Sequence, residues 1–492
     1  MKQTLYYYTL CLLLVLGTLT SCGEDDNTAA PAAAQISITV KDATGTIVPG
    51  MNVYMFLDPA SKAEGRNPAK ALKVVSTNTS GISSFDLKQF PALGKEGTLY
   101  FTVLEGTPFD AKGTVSVSYK EGETIEKELL LQGNSPTPTP TPTPGNSSYA
   151  YGYLPTTVTH ELAMSEYERW KSTQVVACGD GLRVIAAPAN ETKVEGIGFG
   201  LLLAAYAGDK ETFDGILRFY NSKRTPEAKN MMAWSVTCSG TLDPGSATDG
   251  DIDVAFALIV ASKHWGDSYL NAAKEIIQLV RTNLIVQCTV GGKSIYILAP
   301  GYSGRAWGGC GMTDLMYHTP AFFRVFATVT GDNVWAQLAD DTYTLLEAGA
   351  NPTTGLVPDW QTATGTPGPE GRIGYFGYDA ARAPWRLTLD YLWNGNAKAD
   401  AWADKVSGWA ETVGPANIVD GYELNGKPRG TNGLNSAFLG GFAVAATSHS
   451  QARADKFGAE LSKLRDTYWF NINTRVLYLF TLTGNFYDPL KK

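Results

Sequence analysis

The sequence is divided by a tract of alternating proline and threonine, which runs from Ser135 to Pro144. Proline lacks a backbone N–H and fixes φ, so the tract is excluded from helix and sheet interiors and favours extended polyproline II. We therefore predict that this tract is a semi-rigid spacer of roughly 30 Å within a linker at residues 134–148. The 492 residues are enough for two or three domains.

The segment before the linker has the period-2 pattern of β-strands. Apolar residues alternate in four runs that begin at Ile36, Val53, Leu99 and Val115, with turn residues between them. Residues 35–133 are thus predicted to form a small all-β sandwich. The segment 40–50 resembles the opening hairpin of immunoglobulin-like or transthyretin-like accessory modules. Because the segment has no tryptophan, a spacer role is favoured over carbohydrate binding.

The N-terminus combines Lys2 with an apolar stretch from Leu5 to Leu19. This pattern is typical of a secretory signal and is too short for a confident transmembrane helix. Leu-Thr-Ser-Cys22 resembles a bacterial lipobox, and the acidic run 23–26 resembles the signal that sends Bacteroidetes lipoproteins to the outer-membrane surface. The interpretation is a signal peptide at 1–21, lipidation of Cys22, an acidic tether at 22–34 and a lipid-anchored protein at the cell surface or outer membrane. The alternative is an ordinary cleaved signal peptide.

Composition argues against several classes of partner. The formal charge is −8 and no Lys/Arg cluster occurs, which argues against nucleic-acid binding. Four scattered histidines and the absence of a CxxC pair argue against a metal site, and no cofactor is predicted. The remaining cysteines form either buried thiols or one or two disulfides; they are Cys178, Cys238, Cys288 and Cys310. We expect a monomer.

The pattern after the linker is helical. The predicted helices are 193–207, 252–265, 320–330, 335–348, 383–393, 398–412, 434–447 and 452–468. Several are apolar on more than half of their circumference, which suggests inner helices wrapped by an outer ring. Periodicity does not distinguish a helical toroid from a solenoid.

Three carboxylates, Asp249, Asp251 and Asp253, directly precede an apolar run. An EF-hand is excluded, because Val254 and Val260 stand where that loop needs glycine and glutamate. Helix capping is the structural interpretation, with Asp249 as N-cap and the other two near the positive end of the dipole.

Two further carboxyls occur in unusual surroundings. Glu195 opens a glycine-rich apolar segment that would keep it protonated, as a general acid requires; the alternative is a glutamate in a capping turn. Asp379 has Arg382 three residues later, which could keep it ionised as a general base; the alternative is a local structural pair. Two separated carboxyls with opposite protonation, together with many aromatic residues, suggest hydrolysis of glycosidic bonds.

From about residue 150 to 490 the sequence resembles glycoside hydrolase family 8, and within it the endoglucanase-type members. The segment 247–265 matches the family signature, with Val254 where Ile or Met is usual. Glu195-Gly-Ile-Gly-Phe-Gly matches the motif of the proton donor, and Tyr378-Asp-Ala-Ala-Arg382 matches that of the general base. Further matches are at 355–360, 418–422 and 483–486.

The resemblance implies that residues 149–492 form an all-α (α/α)6 barrel with an inverting mechanism. Glu195 would be the acid and Asp379 the base, with their carboxyls roughly 6.5–9.5 Å apart. Asp249 would hold the sugar in the cleaved subsite.

The resemblance also implies roles for residues around the carboxyls. Tyr317 would hold the attacking water, with Tyr378 beside it, and Arg382 would keep the base charged. The predicted substrate contacts are Trp234, Trp307 and Phe199. The sequence departs from the family at 313–317, where Asn-Pro-Ser-Tyr is common, and at Ser235, where His is frequent.

These expectations predict an endo-acting hydrolase of β-1,4-linked glucans, either cellulose-like or mixed-linkage. The alternatives within the family are an endo-β-1,4-xylanase and a chitosanase. An aspartate at 379 argues against the chitosan-active arrangement, in which the base often lies on a separate loop. A non-catalytic glycan-binding lipoprotein is the alternative from another class.

Overall fold

The computed structural model describes residues 33–42, 45–59, 65, 67–105, 110–131, 149–188 and 190–491. The predicted signal peptide, Cys22, nearly all of the tether and the Thr/Pro linker lie outside these residues. The chain divides into two compact units, Met1–Thr137 and Pro138–Lys492, and this division falls inside the predicted linker.

The described part of the N-terminal unit forms two β-sheets. The strands are β1 (Gln35–Lys41), β2 (Asn52–Phe56), β3 (Lys73–Ser76), β4 (Ile82–Asp86), β5 (Glu96–Glu105), β6 (Asp110–Lys120) and β7 (Thr124–Leu130). One sheet has the order β4-β1-β7 and the other β3-β2-β5-β6. β1 is antiparallel to β4 and parallel to β7.

The two sheets share one hydrophobic core. Alternate residues of β1, among them Ile36 and Ile38, are buried in the same cluster as Val53 of β2. Phe85 of one sheet meets Phe101 of the other edge-to-face, with ring centroids 4.9 Å apart. The period-2 pattern therefore correctly predicted an N-terminal β-sheet domain.

Twelve α-helices dominate the described part of the C-terminal unit. They are α1 (His160–Gln174), α2 (Val194–Tyr206), α3 (Lys210–Ser222), α4 (Thr248–Trp265), α5 (Asp267–Asn283), α6 (Pro320–Thr330), α7 (Asn333–Gly349), α8 (Ala383–Asn394), α9 (Ala397–Val413), α10 (Ser436–Ala445), α11 (Gln451–Lys463) and α12 (Trp469–Leu482). The short strands are β8 (Val175–Cys178), β9 (Gly181–Val184), β10 (Glu191–Lys193), β11 (Ser235–Thr237), β12 (Thr241–Asp243), β13 (Ile285–Val290), β14 (Lys293–Leu298), β15 (Gly301–Tyr302) and β16 (Ala306–Trp307).

The even-numbered helices pack on one another in a ring. α2 contacts α4 and α12, α8 contacts α6 and α10, and α10 contacts α12. Phe256 of α4 stacks on Phe322 of α6 at 3.6 Å, which completes the ring. Each odd-numbered helix packs outside an even-numbered one: α3 on α2, α5 on α4, α7 on α6, α9 on α8, α11 on α10 and α1 on α12. These contacts give the inner and outer helices that the apolar patterns predicted.

Four helices, α1, α3, α5 and α12, were not predicted from the sequence. α12 is buried from Phe470 to Leu482, but Asn473 and Arg475 interrupt its apolar pattern, so periodicity does not reveal it. The helix predicted at 452–468 is wrong at its C-terminal end, because α11 ends at Lys463 and Leu464 has an extended backbone.

Two disulfides link the four cysteines of the C-terminal unit. Cys178 is bonded to Cys238 and Cys288 to Cys310, which decides between the thiol and disulfide alternatives. No helix among the described residues has the length and apolar character to span a membrane.

Candidate active site

Glu195 and Asp249 are brought together by a close crossing of two helices. Both residues lie in the first turn of their helix, α2 and α4 respectively. At Gly250 an added Cβ would lie 2.6 Å from the backbone carbonyl carbon of Val194 and 2.8 Å from the backbone nitrogen of Glu195. Glycine therefore lets the two helix N-termini touch through their backbones, which places the two carboxyls side by side.

The predicted capping role of Asp249 is wrong. Ala247 is the N-cap of α4 and provides no side-chain cap. Asp249 is the second residue of the helix, is 3% exposed, and accepts a 3.1 Å hydrogen bond from Nη1 of Arg382. Its other oxygen, Oδ1, is buried without a hydrogen-bond partner among the described residues.

Asp251 and Asp253 do not cap α4 either; both are buried acceptors. Tyr220 donates its hydroxyl to Asp251 at 2.7 Å, and burial raises the pKa of Asp251 to about 8. Asp253 accepts two hydrogen bonds from Arg386, at 2.7 and 2.8 Å, in a fork-like pair. The triplet thus anchors α4 to its neighbours.

Arg382 is the centre of the carboxyl cluster. Its Nη2 donates to Oδ1 of Asp379 at 2.8 Å, and its Nη1 contacts both Asp249 and Oε1 of Glu195. The side chain is 1% exposed, so the guanidinium is desolvated and its attraction for the carboxyls is little screened by water. The predicted Arg382–Asp379 pair is present, together with two further carboxyls.

The acid and base candidates both have raised pKa values but differ in their exposure to solvent. Burial raises the pKa of Glu195 to about 8, with Asp249 and Asp379 reinforcing the shift and Arg382 opposing it. Glu195 therefore keeps its proton at neutral pH. Burial also raises the pKa of Asp379, while Arg382 opposes the shift. About a third of the Asp379 side chain, 34%, is open to solvent, which limits the effect of burial.

Asp359 and Trp360 hold the base in place. The Asp359 carboxylate is 1% exposed and accepts N–H bonds from Gly377 and Ala380, both at 2.8 Å, which flank Asp379. The indole N–H of Trp360 donates to Oδ2 of Asp379 at 3.2 Å. Sequence reasoning singled out the segment 355–360 without assigning these roles; the signal was a carboxylate in an apolar segment.

Tyr317 lies near the base, as expected. Asp314 caps its short helical turn by accepting a 2.9 Å bond from Met316 N, and its ring meets Trp360 edge-to-face at 6.2 Å. Burial raises the pKa of Tyr317 well above its usual value, with the Asp249 and Asp379 charges adding to the shift. The hydroxyl therefore stays protonated and can donate.

Tyr378 differs from its predicted role beside the water. Its hydroxyl donates to Oδ2 of Asp420 at 3.2 Å, and burial raises its pKa to about 12. Its ring packs edge-to-face on Phe438 and Phe470. Tyr378 thus lines the cleft beside Asp379 with its hydroxyl committed to another residue.

Two cavities lie near the carboxyls. One of about 600 Å³ is lined by Glu195 and Asp379 and by aromatic residues that sequence reasoning missed, Tyr468, Trp469 and Phe470. The other, about 450 Å³, is lined by Trp234, Trp307, Tyr317 and Trp360. Trp360 of the second cavity donates its hydrogen bond to Asp379 of the first, so the two cavities are neighbours.

The predicted aromatic contacts divide into two kinds. Trp234 and Trp307 are 36% and 37% exposed and face the second cavity. Phe199 has no exposed surface, and its ring meets Phe470 at 6.5 Å. The prediction that Phe199 contacts substrate is therefore corrected: it packs behind a cleft residue.

The metal-ligating residue types form no metal-binding group in the described part of the chain. A buried carboxyl with a raised pKa and a second carboxyl held by Arg382 and Trp360, beside a cavity lined by exposed indoles, are the components of a glycosidase. The fold and site therefore define a glycoside hydrolase.

The chain belongs to the glycosyl hydrolases family 8, whose family model matches residues 143–483. Endoglucanase C of Ruminiclostridium cellulolyticum is 34% identical over 345 residues, covering 67% of this chain and 72% of that protein. Endoglucanase A of Acetivibrio thermocellus is 34% identical over 360 residues, covering 69% and 73%. The apo structure of a β-1,3-1,4-glucanase from Paenibacillus sp. X4 has a TM-score of 0.63 and 25% identity, covering 70% of this chain and 98% of that one.

Proposed function

We propose that this enzyme is an inverting, endo-acting hydrolase of β-1,4-linked glucans, with cellulose-like or mixed-linkage chains as substrates. The observation that carries the proposal is the sharing of one buried guanidinium, that of Arg382, by Glu195, Asp249 and Asp379. The endoglucanase and β-1,3-1,4-glucanase names of the relatives support a glucan substrate.

In the proposed reaction Glu195 gives its proton to the glycosidic oxygen as the bond to the anomeric carbon breaks. Asp379 takes a proton from a water that attacks that carbon from the opposite face, so the configuration inverts. Glu195 becomes a carboxylate in this step, and Arg382 stabilises the new charge. General acid–base help of this kind contributes a factor of roughly 10²–10⁴ in rate.

Asp249 is proposed to hold the sugar at the cleaved position. Its Oδ1 is buried and lacks a hydrogen-bond partner within the described structure. A buried acceptor in this state costs about 1–3 kcal/mol, which a sugar hydroxyl would recover. This arrangement favours the sugar ring shape that brings the hydroxyl closest to Oδ1.

The aromatic side chains of the cleft support binding of a polymer. Trp234 and Trp307 present indole faces, which suit the apolar C–H face of an equatorially substituted pyranose. Tyr468 and Trp469 line the other cavity, so a chain could extend from the carboxyls along two aromatic surfaces. Such a groove favours cleavage within a chain.

The finer architecture and location are also proposals. The six helix pairs support an (α/α)6 barrel, and the two facing sheets support an immunoglobulin-like or transthyretin-like module. The N-terminal sequence supports lipidation at Cys22 and anchoring at the outer-membrane surface. We expect the protein to incorporate labelled palmitate and the Cys22→Ala variant to lose this incorporation.

Reducing-sugar release from carboxymethylcellulose, barley β-glucan, xylan and chitosan tests the proposed substrate. We expect release from the two glucans. Preferential release from xylan or chitosan would replace the glucan assignment with one of the family alternatives. The Glu195→Gln variant should lose hydrolysis but still be retarded in gels that contain the glucan, and near-normal turnover would show that Glu195 is not the acid.

A further inference from the structure

Arg372 lies in the tryptophan-lined cavity over two indole rings. Its Cζ is 4.9 Å from the ring centroid of Trp307 and 5.1 Å from that of Trp360. The two rings are nearly perpendicular, at 77°, with centroids 5.6 Å apart. The guanidinium therefore occupies the corner between them, within the cavity proposed to bind sugar.

The backbone around Arg372 is fixed to the same tryptophan. Trp360 N donates to Ile373 O at 3.0 Å, and Gly368 N donates to Trp360 O at 2.9 Å. Between them Glu370 has φ 54°, a left-handed conformation that is uncommon for a residue with a side chain. The loop thus holds the cation over the indoles from a defined position.

Arg372 differs in its ion pairing from two other cations that lie over aromatic rings near the cleft. Lys193 lies over Trp234 but is paired with Glu191 at 2.7 Å. Arg429 lies over Tyr375 but is paired with Glu423 at 2.5 Å. Within the described ranges, Arg372 is paired with no carboxylate. The acidic residue lining the same cavity is Asp243, whose Oδ1 accepts a backbone N–H from Gly245.

An arginine in this setting is suited to bind a carboxylate. Its planar face is covered by the indoles, while the N–H groups at its edge can point into the groove. Charge-assisted bonds from such an edge to a carboxylate are about twice as strong as bonds between neutral partners. The net charge of −8 repels anionic polymers, so a local cation in the groove matters more for them than for neutral chains.

We propose that Arg372 is a specificity-determining residue that favours glycan chains carrying carboxylate substituents, such as uronic-acid groups, at the sugar position beside Trp307. This inference rests on the proposed function, in which Trp307 stacks on the bound chain. A carboxylate substituent gains an ion pair with Arg372 that a neutral substituent does not make.

Carboxymethylcellulose and hydroxyethylcellulose have the same β-1,4-glucan backbone and differ in the charge of the substituent. For Arg372→Gln we expect a roughly tenfold lower kcat/KM on the carboxymethyl polymer at low salt and a change within about twofold on the hydroxyethyl polymer. High salt should reduce the difference in kcat/KM between Arg372→Gln and the unmodified enzyme on the carboxymethyl polymer, because salt screens the ion pair. Arg372→Lys should lose less activity on the carboxymethyl polymer than Arg372→Gln, because lysine keeps the positive charge but lacks the planar array of N–H donors of arginine. Arg218→Gln is the matched control, since it removes one charge from the exposed outer helix α3.

If Arg372→Gln loses kcat/KM equally on both polymers, the proposal is overturned in favour of contacts between Arg372 and sugar hydroxyls. If Arg372→Gln gains kcat/KM on both polymers, the proposal is overturned because Arg372 then obstructs the groove. Hydrolysis of the neutral polymer by the unmodified enzyme tests the proposed function separately. If neither polymer is cleaved, gel retardation still tests the inference. The Glu195→Gln variant and the Glu195→Gln/Arg372→Gln double variant are run in gels that contain each polymer. If the double variant loses retardation only in the carboxymethylcellulose gel, the inference is supported, and any other pattern contradicts it.

Discussion

Glu195 and Asp379 contact the same guanidinium but have different surroundings. The Glu195 side chain is 17% exposed and that of Asp379 is 34% exposed. Trp360 also donates a hydrogen bond to Asp379, which favours its charged form. The more enclosed carboxyl is therefore the one suited to hold a proton.

The pH dependence of kcat/KM should reflect both groups. Because Glu195 must be protonated and its pKa is raised to about 8, we expect activity to fall as pH rises through this value. Activity should also fall at acid pH as Asp379 takes up a proton, at a pH above the usual aspartate range because burial raises its pKa. Glu195→Gln should lower kcat by roughly 10²–10⁴ and remove the alkaline limb. An alkaline limb below neutral pH would contradict the assignment.

Asp359 should affect catalysis through the base. Asp359→Asn keeps an oxygen for the N–H groups of Gly377 and Ala380 but removes an ionisable carboxyl beside Asp379. Burial and the charge of Asp379 raise the pKa of Asp359 well above its usual range, so the two carboxyls repel each other when both are ionised. Removing this repulsion favours ionised Asp379, so its pKa falls and the acid limb should move to lower pH. Asp359→Ala also loses the acceptor, and kcat should fall at least about tenfold with less change in KM, because the base is misplaced.

Far-UV circular dichroism and thermal melting control for misfolding of the Asp359 variants. An acid limb that stays in place in Asp359→Asn would show that Asp359 has only a structural role.

At the scale of elements, the crossing of α2 and α4 sets the position of the acid. Gly250→Ala would force a methyl group against the backbone of Val194 and Glu195, at 2.6–2.8 Å. Since backbone atoms cannot turn aside, we expect a loss of about 1–3 kcal/mol in the free energy of unfolding together with reduced kcat. Chemical denaturation and steady-state kinetics measure the two effects.

Gly196→Ala, on the same helix as Glu195, is the matched control. Its added Cβ would meet Val184 at 3.6 Å, an ordinary contact. Because alanine favours helix over glycine, this change should raise stability by roughly 0.5–1 kcal/mol. If both variants lose stability equally, the close crossing is not what distinguishes Gly250.

The sequence predicted eight of the twelve helices in the described C-terminal unit and missed α1, α3, α5 and α12. α10 is buried along its whole length and was recognised, whereas α12 is buried from Phe470 to Leu482 but carries Asn473 and Arg475. These side chains have partners distant in the chain: Asn473 accepts from Trp170, and Arg475 pairs with Glu166. Tertiary partners of this kind leave no local pattern in the sequence.

At the scale of the whole molecule, two disulfides close loops that carry cleft residues. Cys178–Cys238 spans 60 positions including Glu195 and Trp234, and Cys288–Cys310 spans 22 including Trp307. From the entropy of closing such loops we expect contributions of about 4 and about 3 kcal/mol to stability. Thermal melting of the Cys178→Ser/Cys238→Ser and Cys288→Ser/Cys310→Ser double variants measures them. Unchanged melting temperatures would contradict the expectation.

The sequence predicted which residues form the candidate site but not which of them contact one another. Motif resemblance selected Glu195, Asp379 and Arg382, and the structure brings them together. The sharing of Arg382 by three carboxyls, and the support of the base loop by Asp359, depend on distances between segments far apart in the chain. Capping, the local interpretation of Asp249, was wrong for the same reason, since its partner lies 133 residues away.

The most direct test of the account is the anomeric configuration of the first product. Proton NMR during hydrolysis of a soluble β-glucan by the enzyme distinguishes the α- and β-anomers of the new reducing ends before mutarotation mixes them. A separate acid and base acting through one water predict that the new reducing ends appear first as the α-anomer. Initial release of the β-anomer would mean retention through a covalent intermediate and would contradict the roles of Glu195 and Asp379.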